Sequence, residues 1–178
     1  MKKYFSLLLA ILIFMVIHEG IHAVLALLFD EYQAFQVHSY GLEVIYRTPV
    51  GDRAGIKWGF IAGSSNIFTL AVGYVLFCYR EKTSLLRNPF LRLLSYWSTL
   101  VFLLLDPLNL SIMPFFFGGD IGGIVRGFGF NKHSVQAVFL AVLLINRELI
   151  IHRIFPLFGV ENKHPLFKPL LKKGFNAK

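Results

Sequence analysis

Cysteine is almost absent from this 178-residue sequence, in which Cys78 is the only one. A single cysteine excludes an internal disulfide and a zinc site built from cysteines. Charge is also scarce, because only 16% of the residues are Asp, Glu, Lys or Arg, whereas 56% are hydrophobic. With a mean hydropathy of +0.61, this composition excludes an ordinary soluble domain and predicts an integral membrane protein.

Acidic residues are few: the sequence has 10 Asp and Glu and 18 Lys and Arg, which gives a formal net charge of +8. Most of the basic residues lie between or beyond apolar runs, where positive charge sets membrane topology and contacts anionic lipid headgroups. We therefore expect the lipid bilayer as a partner and no nucleic acid. The basic N-terminus, the loop from Arg80 to Arg92 and the basic tail predict that both termini are cytoplasmic, in a multi-pass protein of the cell membrane.

Long apolar runs predict an all-α polytopic membrane protein with about four transmembrane helices. The first run follows Met1-Lys2-Lys3 as in a signal peptide, but it is too long and lacks a small-x-small cleavage site, so we expect a retained helix. We assign residues 1–154 to a membrane core and residues 155–178 to a basic interfacial tail. The predicted spans are Tyr4 to Phe29, Gly55 to Tyr79, Phe90 to Leu105 and Val135 to Ile151.

Between the first two spans, Ala34 to Thr48 is rich in β-branched and aromatic residues on both sides of Ser39-Tyr40-Gly41. This pattern predicts a short membrane-associated β-hairpin. Two roles stay open for it. It is a simple connector, or it offers a strand edge to which an unfolded peptide adds as a further strand.

Past the third span, Asp106-Pro107, Pro114 and the turn at Gly118 to Asp120 interrupt the helical pattern. Irregular backbone at membrane depth is tolerated where protein buries it or water reaches it, so we expect this region to line a cavity.

Glycines recur at helical spacing in two places. Gly59 and Gly63 form a GxxxG pair in the second span, and Gly119, Gly123 and Gly127 recur every four residues after the irregular region. Each series predicts a smooth helix face that another helix approaches closely. Such close contact is what would bring Asp120 to the first span.

The first span contains His18, Glu19 and His22 in the spacing HExxH. On a helix the two imidazoles share one face and can bind one metal ion, with the Glu19 carboxylate beside it as the general base. The same pattern occurs by chance on soluble helices. In lipid an ionisable residue costs roughly 2.5 to 3.5 kcal/mol, which makes it a functional candidate by default.

Catalytic zinc generally takes three protein ligands and keeps one position open, so a third ligand is needed. Asp120 is favoured because a glycine turn can aim it and the topology puts it on the same side of the membrane as His22. Asp106 is the alternative, and Glu148 more plausibly pairs with Arg147. The remaining histidines are expected to be ordinary surface or interfacial residues: His38, His133, His152 and His164.

Three stretches resemble the site-2 protease family of intramembrane zinc metalloproteases, in which HExxH lies on a membrane helix. His18 to His22 match HExxH, Ala62 to Asn66 is similar to the family's A-G-P-x-x-N with Ser64 in place of proline, and Asn109 to Gly123 resembles its N-x-x-P-x-x-x-L-D-G region. The resemblance covers about Tyr4 to Gly127. It implies zinc ligands at His18, His22 and Asp120, Glu19 as general base, and Asn66 and Asn109 as cavity residues that bind substrate.

The expected function is therefore zinc-dependent hydrolysis of peptide bonds in or near the transmembrane segments of a membrane-protein or peptide substrate. Two alternatives stay open. One is a catalytically inactive metal-binding membrane scaffold or regulator, which would have no need of Glu19 as a base. The other is a metal-dependent hydrolase of a lipid or small molecule.

Overall fold

The computed structural model describes residues 2–39, 41–161 and 164–170, and most of them are helical. Four helices are long and apolar enough to cross a membrane, over Lys3–Leu28, Ile56–Cys78, Pro89–Phe115 and Lys132–Leu157. This confirms the predicted all-α polytopic architecture with four spans. The helices are α1 (Lys2–Leu28), α2 (Ile56–Cys78), α3 (Arg80–Ser84), α4 (Pro89–Ser111), α5 (Asp120–Phe128), α6 (Lys132–Leu149) and α7 (Phe155–Leu157).

Helices α1 and α4 lie side by side and run in the same direction. Phe5 contacts Phe90 with ring centroids 5.8 Å apart, and two and a half turns further along Phe14 contacts Phe102 at 5.3 Å. The buried cluster between them includes Ala10 and Phe102. The C-terminal halves of α1 and α4 therefore end on the same side of the bundle.

Helices α2 and α6 run opposite to α4. In α2, the early Ile61 lies near the late His22 of α1, whereas the later Gly73 lies against the backbone of Phe102. The early residues of α6 likewise contact the end of α4, since Gln136 Nε2 donates to the carbonyl of Ser111 at 3.0 Å. The spans thus alternate in direction, as four successive crossings require.

Helix α4 continues past Pro107 to Ser111, which contradicts the prediction that regular helix stops at Asp106. A proline inside a helix leaves the carbonyl four residues earlier without its N–H donor. Here that carbonyl, Leu103 O, accepts a 2.7 Å hydrogen bond from Nδ2 of the fully buried Asn146 on α6. A side chain from another helix replaces the missing bond, and irregular backbone is confined to the residues between Ser111 and Asp120.

The predicted hairpin is present as the antiparallel strands β1 (Tyr32–His38) and β2 (Gly41–Tyr46), with His38 opposite Gly41. It is tied to the helices by Glu31, whose side chain is buried at the end of α1. Glu31 Oε1 lies 2.5 Å from Nζ of Lys57 on α2, and Oε2 accepts from the Thr48 hydroxyl at 2.7 Å. These bonds fix the hairpin above the ends of α1 and α2.

The two predicted glycine faces pack against each other, so that α5 lies directly on α2. A Cβ placed on Gly127 would be 2.1 Å from the backbone nitrogen of Gly59, and one on Gly123 would be 2.5 Å from the Cβ of Ala62. Two of the predicted glycines take no part in this tight contact. The nearest neighbour of Gly63, Ile124, is at an ordinary 3.5 Å, and Gly119 faces Oδ1 of Asn109 on α4 at 3.6 Å. Backbone-to-backbone contact is possible here only because these side chains are missing.

Helical structure continues from α6 through a π-helical turn at Ile150–Ile154 into α7, and so extends past the predicted end of the span at Ile151. Arg147 and Glu148 form the predicted ion pair. The Arg147 guanidinium also donates to the carbonyls of Leu166 and Lys168, which holds the described part of the tail against α6. Of the tail lysines, Lys163, Lys172 and Lys173 lie outside the described residues.

Candidate metal centre

His18 and His22 face the interior of the bundle, where they are 8% and 3% exposed. Their Nε2 atoms converge to 3.2 Å, although the two residues are one helical turn apart. The apolar side of α1 faces outward instead, with Leu12, Val16 and Val24 exposed. The expected shared face of the two imidazoles is therefore present and points away from lipid.

Asp120 completes the group from the first residue of α5. Its Oδ2 lies 3.2 Å from Nε2 of His18, and its Oδ1 lies 3.3 Å from Nε2 of His22. Zinc bonds of about 2.0 to 2.1 Å in a tetrahedral site put donor atoms about 3.3 Å apart. The three residues hence fit a single zinc-sized ion, and their ligand atoms all lie within 4.8 Å of one another.

The other nitrogen of each imidazole is held by an acceptor outside the centre. Nδ1 of His22 lies 2.7 Å from the carbonyl of Ile61, and Nδ1 of His18 lies 3.1 Å from Oδ1 of Asp106. A hydrogen-bonded acceptor at Nδ1, as in His22, places the proton there and leaves the Nε2 lone pair for a metal ion. At His18 the Asp106 carboxylate lies at ion-pair distance from Nδ1 without the geometry of a hydrogen bond.

The structure places Asp106, the alternative third ligand, behind His18 instead of beside the Nε2 atoms. Asp106 is 1% exposed and its Oδ2 accepts a hydrogen bond from the hydroxyl of Thr69. Because α4 continues through Asp106, its side chain projects from a regular helix and meets the far edge of the imidazole. The motif alone gave no sign of this, since it depends on the parallel packing of α1 and α4.

Asn66 and Asn109, expected to bind substrate, both contact Asp120 instead. Asn66 Nδ2 donates to Asp120 Oδ2 at 3.0 Å, and Asn109 Nδ2 does so at 3.5 Å. Asn66 is fully buried, so it lies behind the carboxylate and away from the cavity. The packing of α5 on α2 explains this difference, because it covers Asn66 with the first turn of α5.

Asp120 lies outside the four spans, and its charge is set by opposing effects. Burial by itself would raise the pKa of Asp120, but the neighbouring imidazoles of His22 and His18 hold that pKa below its usual range. This direction favours the ionised carboxylate that a metal ligand requires.

Ser65 also reaches the centre, which the sequence did not reveal. Its hydroxyl lies 2.9 Å from Nε2 of His22 and 3.5 Å from Nε2 of His18, and the residue is fully buried. A serine carries no metal-ligand signal of its own. The only hint was its position beside Asn66 in the stretch that resembles the family motif.

Glu19 lies on the open side of the centre. Its Oε2 accepts a 3.3 Å hydrogen bond from the backbone N–H of Val44 in β2. Together with His22, Asp120 and Tyr46 it lines a cavity of about 340 Å³ between the hairpin, α2 and α5. The metal-ligating group, the candidate base and space for another molecule are thus contiguous.

The other histidines lie outside this centre, as expected. Each contacts a neighbour of its own: His38 with Glu43 at 3.0 Å, His133 with Gln136 at 3.1 Å, His152 with Glu148 at 3.3 Å, and His164 with the N–H of Leu166 at 3.2 Å.

Comparisons with protein-family models, with curated proteins and with solved structures found no match. The resemblance to the site-2 proteases therefore stays a prediction from three sequence stretches. What this chain does has to be argued from its own residues.

Proposed function

We propose that this protein is an intramembrane zinc metalloprotease that hydrolyses peptide bonds in or near the transmembrane segments of its substrates. One observation carries the proposal. The Nε2 atoms of His18 and His22 lie 3.2 Å apart, and each lies 3.2 to 3.3 Å from one of the two carboxylate oxygens of Asp120, within a bundle of membrane-spanning helices and next to Glu19 and an open cavity. A general base beside a three-ligand site is the arrangement that metal-dependent hydrolysis uses.

Zinc bound to these residues would supply a Lewis acid that acidifies water and polarises a carbonyl group. Glu19 accepts the proton of the attacking water and returns it to the leaving amine. Its hydrogen bond from Val44 N–H fixes the carboxylate beside the centre. Asn66 and Asn109 hold Asp120 in position, and Asp106 does the same for His18.

The hairpin gives the proposed substrate a place to bind. Glu43, Val44 and Tyr46 of β2 line the cavity beside Glu19. The amides of a transmembrane helix are hidden in hydrogen bonds, so a substrate must first unwind locally. A freed segment that pairs with the edge of β2 would lie across the cavity with its carbonyls near Glu19.

The decisive experiment compares Glu19→Gln with wild-type protein in detergent or nanodiscs, using a model transmembrane peptide. We expect one zinc ion per chain in both and cleavage only in the wild type. Glu81→Gln, which removes an exposed carboxylate on α3, is the control and should keep both properties. Cleavage by Glu19→Gln would refute the assignment of Glu19 as the general base. Purified wild-type protein that contains no zinc would refute the metal site.

Metal analysis of Asp120→Ala beside Asp106→Ala separates the third ligand from the residue that positions His18. We expect Asp120→Ala to lose zinc at concentrations where Asp106→Ala still retains part of it. The opposite order would make Asp106 the ligand.

A second candidate is an inactive metal-binding scaffold, and the position of Ser65 favours it. Its hydroxyl is close enough to the imidazoles to act as a fourth donor and close the site. Tightly bound zinc without cleavage of any tested peptide, together with weaker zinc binding in Ser65→Ala, would support the scaffold.

A further inference from the structure

Two arginines line the cavity that contains Glu19, and neither forms an ion pair with a carboxylate among the described residues, although Glu43 and Asp120 line the same cavity. Arg53 lies between β2 and α2, and Arg126 lies on α5. In the part of the chain that the structure describes, the ion pairs of arginine and lysine with carboxylates involve other side chains. Unpaired positive charge on the wall of a candidate active site indicates an anionic ligand.

Both guanidinium groups are held by the same connection. Nε of Arg53 donates to the carbonyl of Thr48 at 3.0 Å, and Nη1 of Arg126 donates to the carbonyl of Val50 at 2.9 Å. Burial lowers the pKa of Arg53 below its ordinary value; the positive charge of Arg126 acts in the same direction, whereas Tyr46, Glu31 and Glu43 act against it. An anion between the two arginines would reduce their mutual repulsion.

Aromatic rings fix the orientation of Arg53. Its guanidinium lies over the rings of Tyr46 and Trp58, at 4.6 Å and 5.0 Å from their centroids. Among the described residues, the hydrogen bond of Arg53 to Thr48 uses Nε, which leaves the terminal Nη groups as a planar fork that matches the two oxygens of a carboxylate. The arginine is therefore preorganised for an anion before any ligand arrives.

Arg126 extends toward the metal centre. Its Nη2 lies 3.8 Å from the point where Gly122 would carry a Cβ, so the side chain folds back along α5 toward the turn that holds Asp120. A larger residue at position 122 would reduce the space that the Arg126 side chain occupies beside α5.

We propose that Arg53 and Arg126 form a subsite for a carboxylate of the substrate peptide, close to the scissile bond. The group is either an Asp or Glu side chain or the C-terminal carboxylate. This inference rests on the proposed function, because it assumes that the cavity receives a peptide. The cavity of about 340 Å³ is too small to separate the subsite from Glu19 by more than a few residues.

The test measures peptide binding by fluorescence anisotropy to full-length protein carrying Glu19→Gln, so that the peptide stays intact. Two matched pairs of a labelled model peptide are compared: one pair carries a single Glu or Gln at the same position, and the other has a free or an amidated C-terminus. We expect an acidic version to bind roughly tenfold more tightly than its neutral counterpart. Which acidic version does so identifies the source of the carboxylate.

Adding Arg53→Gln or Arg126→Gln should abolish this preference, so that acidic and neutral peptides bind the variant equally. Arg126 is exposed, so its variant keeps the test valid if Arg53→Gln fails to fold. Arg47→Gln is the matched control, because Arg47 lies on the same connection, does not line the cavity and is paired with Asp30. It should retain the preference.

Equal affinity for acidic and neutral peptides would overturn the inference. It would also be overturned if the arginine variants responded to the fraction of anionic lipid in nanodiscs and not to the charge of the peptide. A clear carboxylate preference without cleavage by the wild type would refute the protease and keep the subsite. Cleavage by the wild type without a carboxylate preference would support the protease and refute the subsite.

Discussion

Replacement of Gly127 by alanine tests whether the contact between α5 and α2 holds Asp120 in place. The new Cβ would be 2.1 Å from the nitrogen of Gly59 and 2.4 Å from its Cα, and neither is the mobile end of a side chain. Overpacking costs typically about 1 to 3 kcal/mol, and rigid backbone atoms put this site at the upper end. Alanine recovers about 1 kcal/mol of helix propensity.

The expected net loss is therefore about 2 kcal/mol, which corresponds to a Tm about 4 to 8 °C lower for a chain of this length. Thermal unfolding of purified protein in detergent measures it. Since α5 must move away from α2, Asp120 should also leave the imidazoles, and zinc affinity should fall in the same variant.

Gly122→Ala is the matched control on the same helix. Its Cβ would meet only Nη2 of Arg126, at an ordinary 3.8 Å, so the helix propensity gain should leave stability unchanged or slightly higher. If Gly127→Ala were as stable as Gly122→Ala, the close packing of α5 on α2 would be wrong.

Two further outcomes follow from single contacts. Asp106→Ala should weaken zinc binding by about 10- to 100-fold, and Asp106→Asn, which keeps an acceptor oxygen, should recover part of the loss, because the acceptor at Nδ1 of His18 orients the ring. Unchanged affinity of Asp106→Ala in a zinc competition assay would exclude this role. The hydrogen bond from Lys57, and to a smaller extent that from Thr48, lowers the pKa of Glu31. The ionised carboxylate therefore stabilises the fold at pH values above its ordinary pKa of about 4.5, and this stabilisation is lost as pH falls below that value. In chemical denaturation, the advantage of wild type over Glu31→Gln should be constant near neutrality and shrink toward pH 3, and an advantage independent of pH would contradict this assignment.

Features that depend on local sequence were predictable. The four spans follow from uninterrupted apolar runs, and the hairpin follows from a turn between β-prone segments. The two glycine faces were predictable from glycines four residues apart, but this spacing did not predict that the two faces pack on each other. Asp120 emerged from the same reasoning, because the alternation of spans brings its turn to the C-terminal end of α1.

Features that depend on partners from distant helices were not predictable. Pro107 suggested a break in α4, but the side-chain amide of Asn146 on α6 donates a hydrogen bond to the carbonyl of Leu103, which Pro107 leaves without a backbone donor. Asn66 was expected in the cavity, yet α5 covers it. In both cases a buried amide compensates a neighbouring group, and single-sequence patterns carry no signal for such pairings.

Charge balance gives the strongest physical reason to expect a metal ion in this centre. His18 lies between two carboxylates, Asp106 and Asp120, and among the described residues the ion-pair partners of both are histidines, with no lysine or arginine. Buried anions in a membrane bundle need compensating positive charge. If protons supplied it on both imidazoles, two Nε2–H groups would face each other with their nitrogens 3.2 Å apart, which is repulsive. A divalent cation between the Nε2 atoms removes that repulsion and neutralises the carboxylates at the same time. The spacing of the nitrogens and the placement of the acids therefore both support the metal ion that we propose for this centre.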